Sequence, residues 1–179
     1  TTDLARQTGH ATVITSPRGR AHQMNTGAAQ ATGDVLLFLH ADCWLAPDAL
    51  THVERALQNP HYVGGCFQQR IEHPALRYRA LEWGNALRVQ LWGLAYGDQG
   101  IFVRRSVFDT LNGFPPLPLM EDLFFMKQLR HQGQLALLPS RLHVSARRWE
   151  QTGVVRQTLR NWWLTTLAQC GVPPAKLIA

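Results

Sequence analysis

The run 35-VLLFLH-40 is apolar at nearly every position and ends in Ala41-Asp42. A strand without polar alternation has no face to give to water, so helices must cover it on both sides, as they do parallel strands in α/β proteins. The flanking segments suit that role. Residues 20 to 31 carry Met24, Ala28 and Ala31 at spacings of three and four, with Gly33 at a helix stop, which predicts a helix before the strand. After it, Pro47-Asp48 opens a second helix with Leu50, Val53 and Leu57 on one face, broken by Asn59-Pro60.

The alternation continues along the chain. The β-branched 12-TVITS-16 predicts a strand ended by Ser16-Pro17-Arg18-Gly19, and residues 62 to 71 predict another. Helix is expected over 75 to 94, strand over 100 to 105, and a short helix over 106 to 114 closed by Asn112-Gly113. A helix over 121 to 132 stops at Gly133, residues 134 to 138 read as strand, and 151 to 169 as a last helix. Without repeats or low-complexity stretches this is an α/β chain with a mixed sheet. With 179 residues, 45% of them hydrophobic, it reads as a single domain over 1–179. Thr1-Thr2-Asp3 resembles the capped start of a helix entered partway through a fold, so an upstream segment is expected to be missing.

Lys and Arg number 18 against 12 Asp and Glu, a net charge of +6 that suits anionic partners such as diphosphates, nucleic acid or a lipid surface. Cys43, Cys66 and Cys170 have neither zinc-knuckle spacing nor the density of a disulfide framework, which fits a reducing, cytoplasmic setting. No apolar run reaches the ~18 to 20 residues of a spanning helix.

Chemistry concentrates at Asp42 and at Met120-Glu121-Asp122. Metal-assisted group transfer needs one acid for a cation and one for an incoming hydroxyl. The alternative is structural: Glu121 and Asp122 stabilise a helix N-terminus by ~0.3 to 1 kcal/mol each. Arg18 and Arg20 lie on a glycine-containing turn that opens a helix, presenting backbone N–H groups and guanidinium to an anion. Asn25 and Gln23 follow on that helix, where they order the loop or face solvent.

The segments 25-NTGAAQATGDVLLFLHADCWL-45, 97-GDQGIFVRRSVFDTLNGF-114, 121-EDLFFMKQLRHQG-133 and 147-RRW-149, in that order, resemble the family 2 glycosyltransferases. The resemblance runs from about Ala11 to Pro174 and is greatest to a bacterial subgroup reading Gly-Arg-Ala-x-Gln-Met-Asn and Pro-Leu-Met-Glu-Asp. It implies a three-layer GT-A fold with a mixed, mostly parallel sheet, truncated at its N-terminus. It also implies a nucleotide-diphosphate sugar donor, a hydroxyl acceptor, a divalent metal (Mg²⁺ or Mn²⁺) and inversion at the anomeric carbon.

By that resemblance His40-Ala41-Asp42 stands in place of an Asp-x-Asp motif. Asp42 would hold the metal against the phosphates, and His40 would support Asp42 or the nucleotide. Asp122 corresponds to the general base, with Glu121 supporting it. Arg147-Arg148-Trp149 resembles the end of a Gln-x-x-Arg-Trp motif, but Ser145 occupies the glutamine position, which weakens a case for polymer synthesis. Asp98-Gln99-Gly100 falls at the donor-sugar and acceptor region. The donor-binding set implied is Arg18, Arg20, Asn25, His40, Asp98, Gln99, Arg147, Arg148 and Trp149, with Trp149 as a core residue the alternative.

The last helix places Val155, Leu159, Trp163 and Leu167 in one row, with Trp162 beside it and Arg156 and Arg160 on its flank. Such a helix suits a lipid interface and a lipid-linked acceptor. A row at helical spacing more often packs a core, so the core reading comes first, and the same choice applies to helix 75 to 94 with Trp83 and Trp92. Family members begin with a nucleoside-binding strand, helix and strand that would precede Thr1 by roughly forty to fifty residues, from a βαβ unit of ~30 residues plus connections. Without them, strand 34 to 39 would keep an unpaired edge, and nucleotide would bind poorly. Two other classes remain as rivals. A noncatalytic basic module would bind anionic surfaces in a salt-sensitive way, although no nucleic-acid motif is present, so nucleic acid is not an expected partner. A nucleotidyltransferase on a related scaffold would release pyrophosphate.

Overall fold

The computed structural model describes residues 2–7, 11–172 and 177. One five-stranded sheet organises them, in the order β1-β4-β3-β5-β2. The strands are β1 (Val35–Phe38), β2 (Cys43–Leu45), β3 (Tyr62–Glu72), β4 (Ile101–Arg104) and β5 (Gln134–Ser145). β3 and β5 pair in parallel, while β1–β4, β4–β3 and β5–β2 are antiparallel, so β1, β3 and β5 share one direction in a mixed sheet. The helices are α1 (Thr2–Gln7), α2 (Arg20–Gln30), α3 (Ala49–Gln58), α4 (Leu76–Trp92), α5 (Arg105–Thr110), α6 (Glu121–Leu129), α7 (Arg147–Thr152) and α8 (Val154–Gln169).

Two cores lie on opposite faces of the sheet, and β4 shows why. Ile101 and Val103 point into the core shared with α2, α5 and α6, whereas Phe102 between them enters the core shared with α3, β2 and Trp149 of α7. That is the period-two rule acting on an uninterrupted apolar strand. An aromatic cluster on the first face, Phe38, Phe108, Phe114 and Phe125, packs with centroids 4.4 to 5.9 Å apart and fixes α5 and α6 beneath β1.

Several expectations are corrected. Residues 12–16 form no strand and find no ladder partner among the described residues, and β-branched composition alone does not make one. β5 continues to Ser145 rather than stopping at 138. Pro139 lies where the register jumps from Phe67↔Leu138 to Gln68↔Arg141, so the ladder absorbs the missing N–H at an irregularity and resumes. The last helix begins at Arg147 and breaks at Gly153, whose φ of 82° is left-handed. The unpaired edge expected at strand 34 to 39 is present: among the described residues β1 is an edge strand beside an open groove. Leu50 of α3 points outward, while Val53 and Leu57 are buried as expected.

The largest correction concerns α4 and α8, which expose large apolar residues; on α8 Val155, Leu159, Trp162 and Trp163 are exposed, while Leu164 and Ala168 pack inward. α4 buries Glu82, Asn85 and Arg88 with Tyr78 and Val89, and exposes Leu76, Trp83, Leu91 and Trp92. Buried polar groups on this face are held by hydrogen bonds. Asn85 Nδ2 donates to Gln69 Oε1 at 2.7 Å, and Arg88 donates to Asn85 Oδ1 at 2.9 Å, Gln99 Oε1 at 2.6 Å and the Leu94 carbonyl at 2.9 Å. Periodicity identifies a helix face but not which face meets the core when the polar residues can satisfy one another.

Candidate active site

The α6 N-terminus is set by Met120, whose φ of 63° is left-handed and costs a side-chain-bearing residue conformational energy. This turn, with Met120 itself buried, points Glu121 and Asp122 inward at the start of the helix. Asp122 Oδ2 accepts the Gly97 N–H at 2.7 Å and Oδ1 accepts the Leu123 N–H at 2.7 Å, so two backbone donors fix the carboxylate's orientation. Glu121 is 1% exposed and takes Arg20 through both oxygens, Nε to Oε1 at 2.7 Å and Nη2 to Oε2 at 3.1 Å. Burial, then neighbouring Asp122, raises the Glu121 carboxyl above the ordinary carboxylate range, against the Arg20 charge.

Gly97 opens a 3₁₀ turn, Gly97–Gln99, directly above Asp122. The turn lies close against His40: a Cβ on Gly97 would overlap the imidazole Nε2 and sit 3.3 Å from Asp122 Oδ2. Asp98, next in the turn, is raised chiefly by burial, opposed by the charges of His40 and Arg88 and reinforced by Asp122. Its Oδ1 is buried with no hydrogen-bond partner among the described residues. The turn is anchored from behind by Arg88, which holds Gln99 and stacks 3.7 Å from the Tyr96 ring centroid, while Tyr96 Oη meets Thr165 Oγ1 of α8 at 2.7 Å.

Two cavities meet here and share Arg20, His40 and Arg148. The larger, 830 Å³, runs between α2 and β1 and includes Asp42 and Arg147. The smaller, 340 Å³, includes Asp98 and Asp122 and is walled by the inner side of α8 through Gln157, Asn161 and Thr165. Of the residues singled out from sequence, Arg20, His40, Asp42, Asp98, Asp122, Arg147 and Arg148 therefore line one or both cavities. The Cys43 thiol, pushed up to about 12 mainly by burial, also responds to Asp98, Asp42 and Arg148, which places those charges around one strand end.

Others lie elsewhere. Asn25 is bound to one backbone unit, its Nδ2 donating to the Phe114 carbonyl at 2.8 Å and its Oδ1 accepting the Phe114 N–H at 2.9 Å, so its amide orders a loop and lines neither cavity. Gln99 is fully buried against Arg88, and Trp149 is a core residue edge-on to Tyr78; neither lines a cavity. Arg18 is exposed and also outside both cavities. Sequence reasoning missed Gly97, Arg88 and the polar face of α8. The signal for Gly97 was a glycine one residue before Asp98, in a position where no side chain fits.

Among the described residues no three His, Cys, Asp or Glu side chains gather into a metal cage. Asp42, on the wall of the larger cavity, is the carboxylate there that would hold a hard cation. His40 lies two residues away on the same wall.

The structure is similar to that of the mannosyltransferase PcManGT from Pyrobaculum calidifontis, solved in complex with GDP-Man and Mn²⁺, with a TM-score of 0.56 and 22% identity. The similarity covers 73% of this chain and 38% of that one, so the chain spans well under half of its neighbour's length. A search of curated proteins finds no matching relative. Residues 1–111 of the 179, a stretch that contains Arg20, His40, Asp42 and Gly97 and ends before Asp122, match the family described as Glycosyl transferase family 2, and the chain belongs to that family.

Proposed function

We propose that the protein transfers a sugar from a nucleotide-diphosphate sugar to a hydroxyl acceptor by a single, inverting displacement. The observation that carries this is the junction of two cavities at Arg20, His40 and Arg148, with Asp42 in one and Asp122 in the other. The basic larger cavity suits the donor's diphosphate, and the smaller one suits the acceptor.

In this reading Asp122, oriented by the Gly97 and Leu123 N–H groups, takes the proton of the acceptor hydroxyl. The hydroxyl oxygen bonds to the anomeric carbon as the bond from that carbon to the phosphate oxygen breaks, and the electron pair leaves with the nucleoside diphosphate. Arg20, Arg147 and Arg148 meet the negative charge that develops there. Glu121 acts through Arg20: its two-point contact holds the guanidinium at the seam between the cavities. A divalent cation such as Mg²⁺ or Mn²⁺ on Asp42 would neutralise the diphosphate. The donor class follows the family and is the one carried by the similar mannosyltransferase.

Asp122→Asn tests the assignment. Calorimetric affinity for the donor is expected to stay within a few fold while kcat falls ~10²- to 10⁴-fold. A near-normal kcat in that variant would remove Asp122 from the chemistry.

A further inference from the structure

We infer that the outward faces of α4 and α8 dock the protein on an anionic lipid surface. Among their exposed residues are Leu76 (82%), Trp83 (69%), Trp162 (58%) and Trp163 (65%), and Leu91, Val155 and Leu159 continue the two stripes. Scattered single apolar residues on a surface are ordinary, but two helices that each expose two tryptophans beside aliphatic residues are not. This exposure is built in. The inward side of α4 is committed to the Glu82, Asn85 and Arg88 hydrogen bonds, and that of α8 to Thr165 and the cavity wall, so neither helix can rotate its tryptophans inward without orphaning buried polar groups.

Charge selects the occupant. Every carboxylate that α4, α6 and α8 carry, Glu82, Glu121 and Asp122, is buried. Of their cations, Arg77, Lys127 and Arg156 are exposed, as is Arg130 just beyond α6, while Arg160 belongs to the wall of the smaller cavity. The helices converge at a 270 Å³ cavity where Trp92 and Leu94 meet Phe124 and Ala168 between Lys127 and Arg130. Tryptophan beside snorkelling arginine and lysine, with no exposed acid on these three helices, matches the headgroup region of an anionic bilayer. A symmetric contact between two copies would set these cations against one another. No helix among the described residues is long and apolar enough to cross a membrane, so the contact is peripheral.

The inference does not depend on the transferase reading, and its test does not use activity. The full-length protein would be sedimented with vesicles of phosphatidylcholine containing about a third phosphatidylglycerol, and with pure phosphatidylcholine. Binding to the anionic vesicles is expected, with a blue shift in tryptophan emission and weakening in high salt. The paired variants Trp83→Glu/Leu91→Glu and Trp162→Glu/Trp163→Glu, at positions already in solvent and checked by circular dichroism, should each lower the partition coefficient by roughly tenfold or more. Absence of vesicle binding by the folded protein would overturn the inference. So would binding that neither pair of substitutions weakens, or a dimer seen by sedimentation velocity that protects these tryptophans without lipid affinity.

Discussion

Gly97→Ala probes the contact between the 3₁₀ turn and the carboxylate of Asp122, the proposed base. Its backbone is open to alanine, so the whole effect comes from the added methyl group, which would overlap His40 Nε2, lie 2.8 Å from His40 Cε1 and 3.3 Å from Asp122 Oδ2. Carbon contacts settle near 3.5 to 4 Å, so the imidazole or the turn must move by roughly 0.7 to 1 Å. The turn moves at the expense of the Gly97 N–H bond to Asp122, and the imidazole moves within the wall common to both cavities. Overpacking of this size costs about 1–3 kcal/mol, or a Tm drop of several degrees at ~2–4 °C per kcal/mol for a domain of this length. A misplacement of ~1 Å at the base is expected to lower kcat by about 10²-fold. Thermal unfolding and initial rates of nucleotide release measure the two effects separately. A variant with wild-type kcat, whether or not its Tm falls, would refute the placement of Gly97 against the working face of Asp122.

Other substitutions test other parts of the account. Glu121, raised above its ordinary 4.5 mainly by burial, binds more protons folded than unfolded. Its contribution to stability is therefore full below that ordinary value and is lost as pH rises through the folded one. Relative to Glu121→Gln, the wild-type Tm should fall as pH is raised from about 4.5 toward neutrality; parallel pH curves would contradict this. Gly84→Ala, in the interior of α4 with nothing within 4 Å of the new Cβ, should raise stability by ~0.5–1 kcal/mol in a denaturant titration. At pH 8, Cys170 should react rapidly with a disulfide reagent, whereas Cys43 and Cys66, each pushed to about 12 mainly by burial, should not react until the protein unfolds.

How much of this was legible beforehand depended on whether a residue's signal was local. α2 and α3 were legible from local pattern, with observed bounds within a residue or two of expectation, although α2 ends at an extended Ala31 before Gly33 and the Asp48 side chain caps no backbone N–H. Arg20, His40, Asp42, Asp98 and Asp122 come together because each sits at an element end facing one side of the sheet, where side chains are free of core duty. Asn25, Gln99 and Trp149 lie outside the two cavities because their partners, the Phe114 backbone, Arg88 and Tyr78, are distant in sequence or in helical register. The orientation of α4 was hidden for the same reason: Gln69, Asn85, Arg88 and Gln99 satisfy one another only once β3, α4 and the 3₁₀ turn meet. The β-branched 12-TVITS-16 shows the converse, strong local propensity with no ladder partner among the described residues to realise it.

The most direct test is nucleotide release from a panel of nucleotide-diphosphate sugars by the full-length protein, with and without Mn²⁺, in wild type, Asp42→Ala and Asp122→Asn. The account predicts turnover of at least one donor that requires the cation and disappears in both variants. Undiminished turnover in either variant, or silence across the panel from a folded protein, would contradict it.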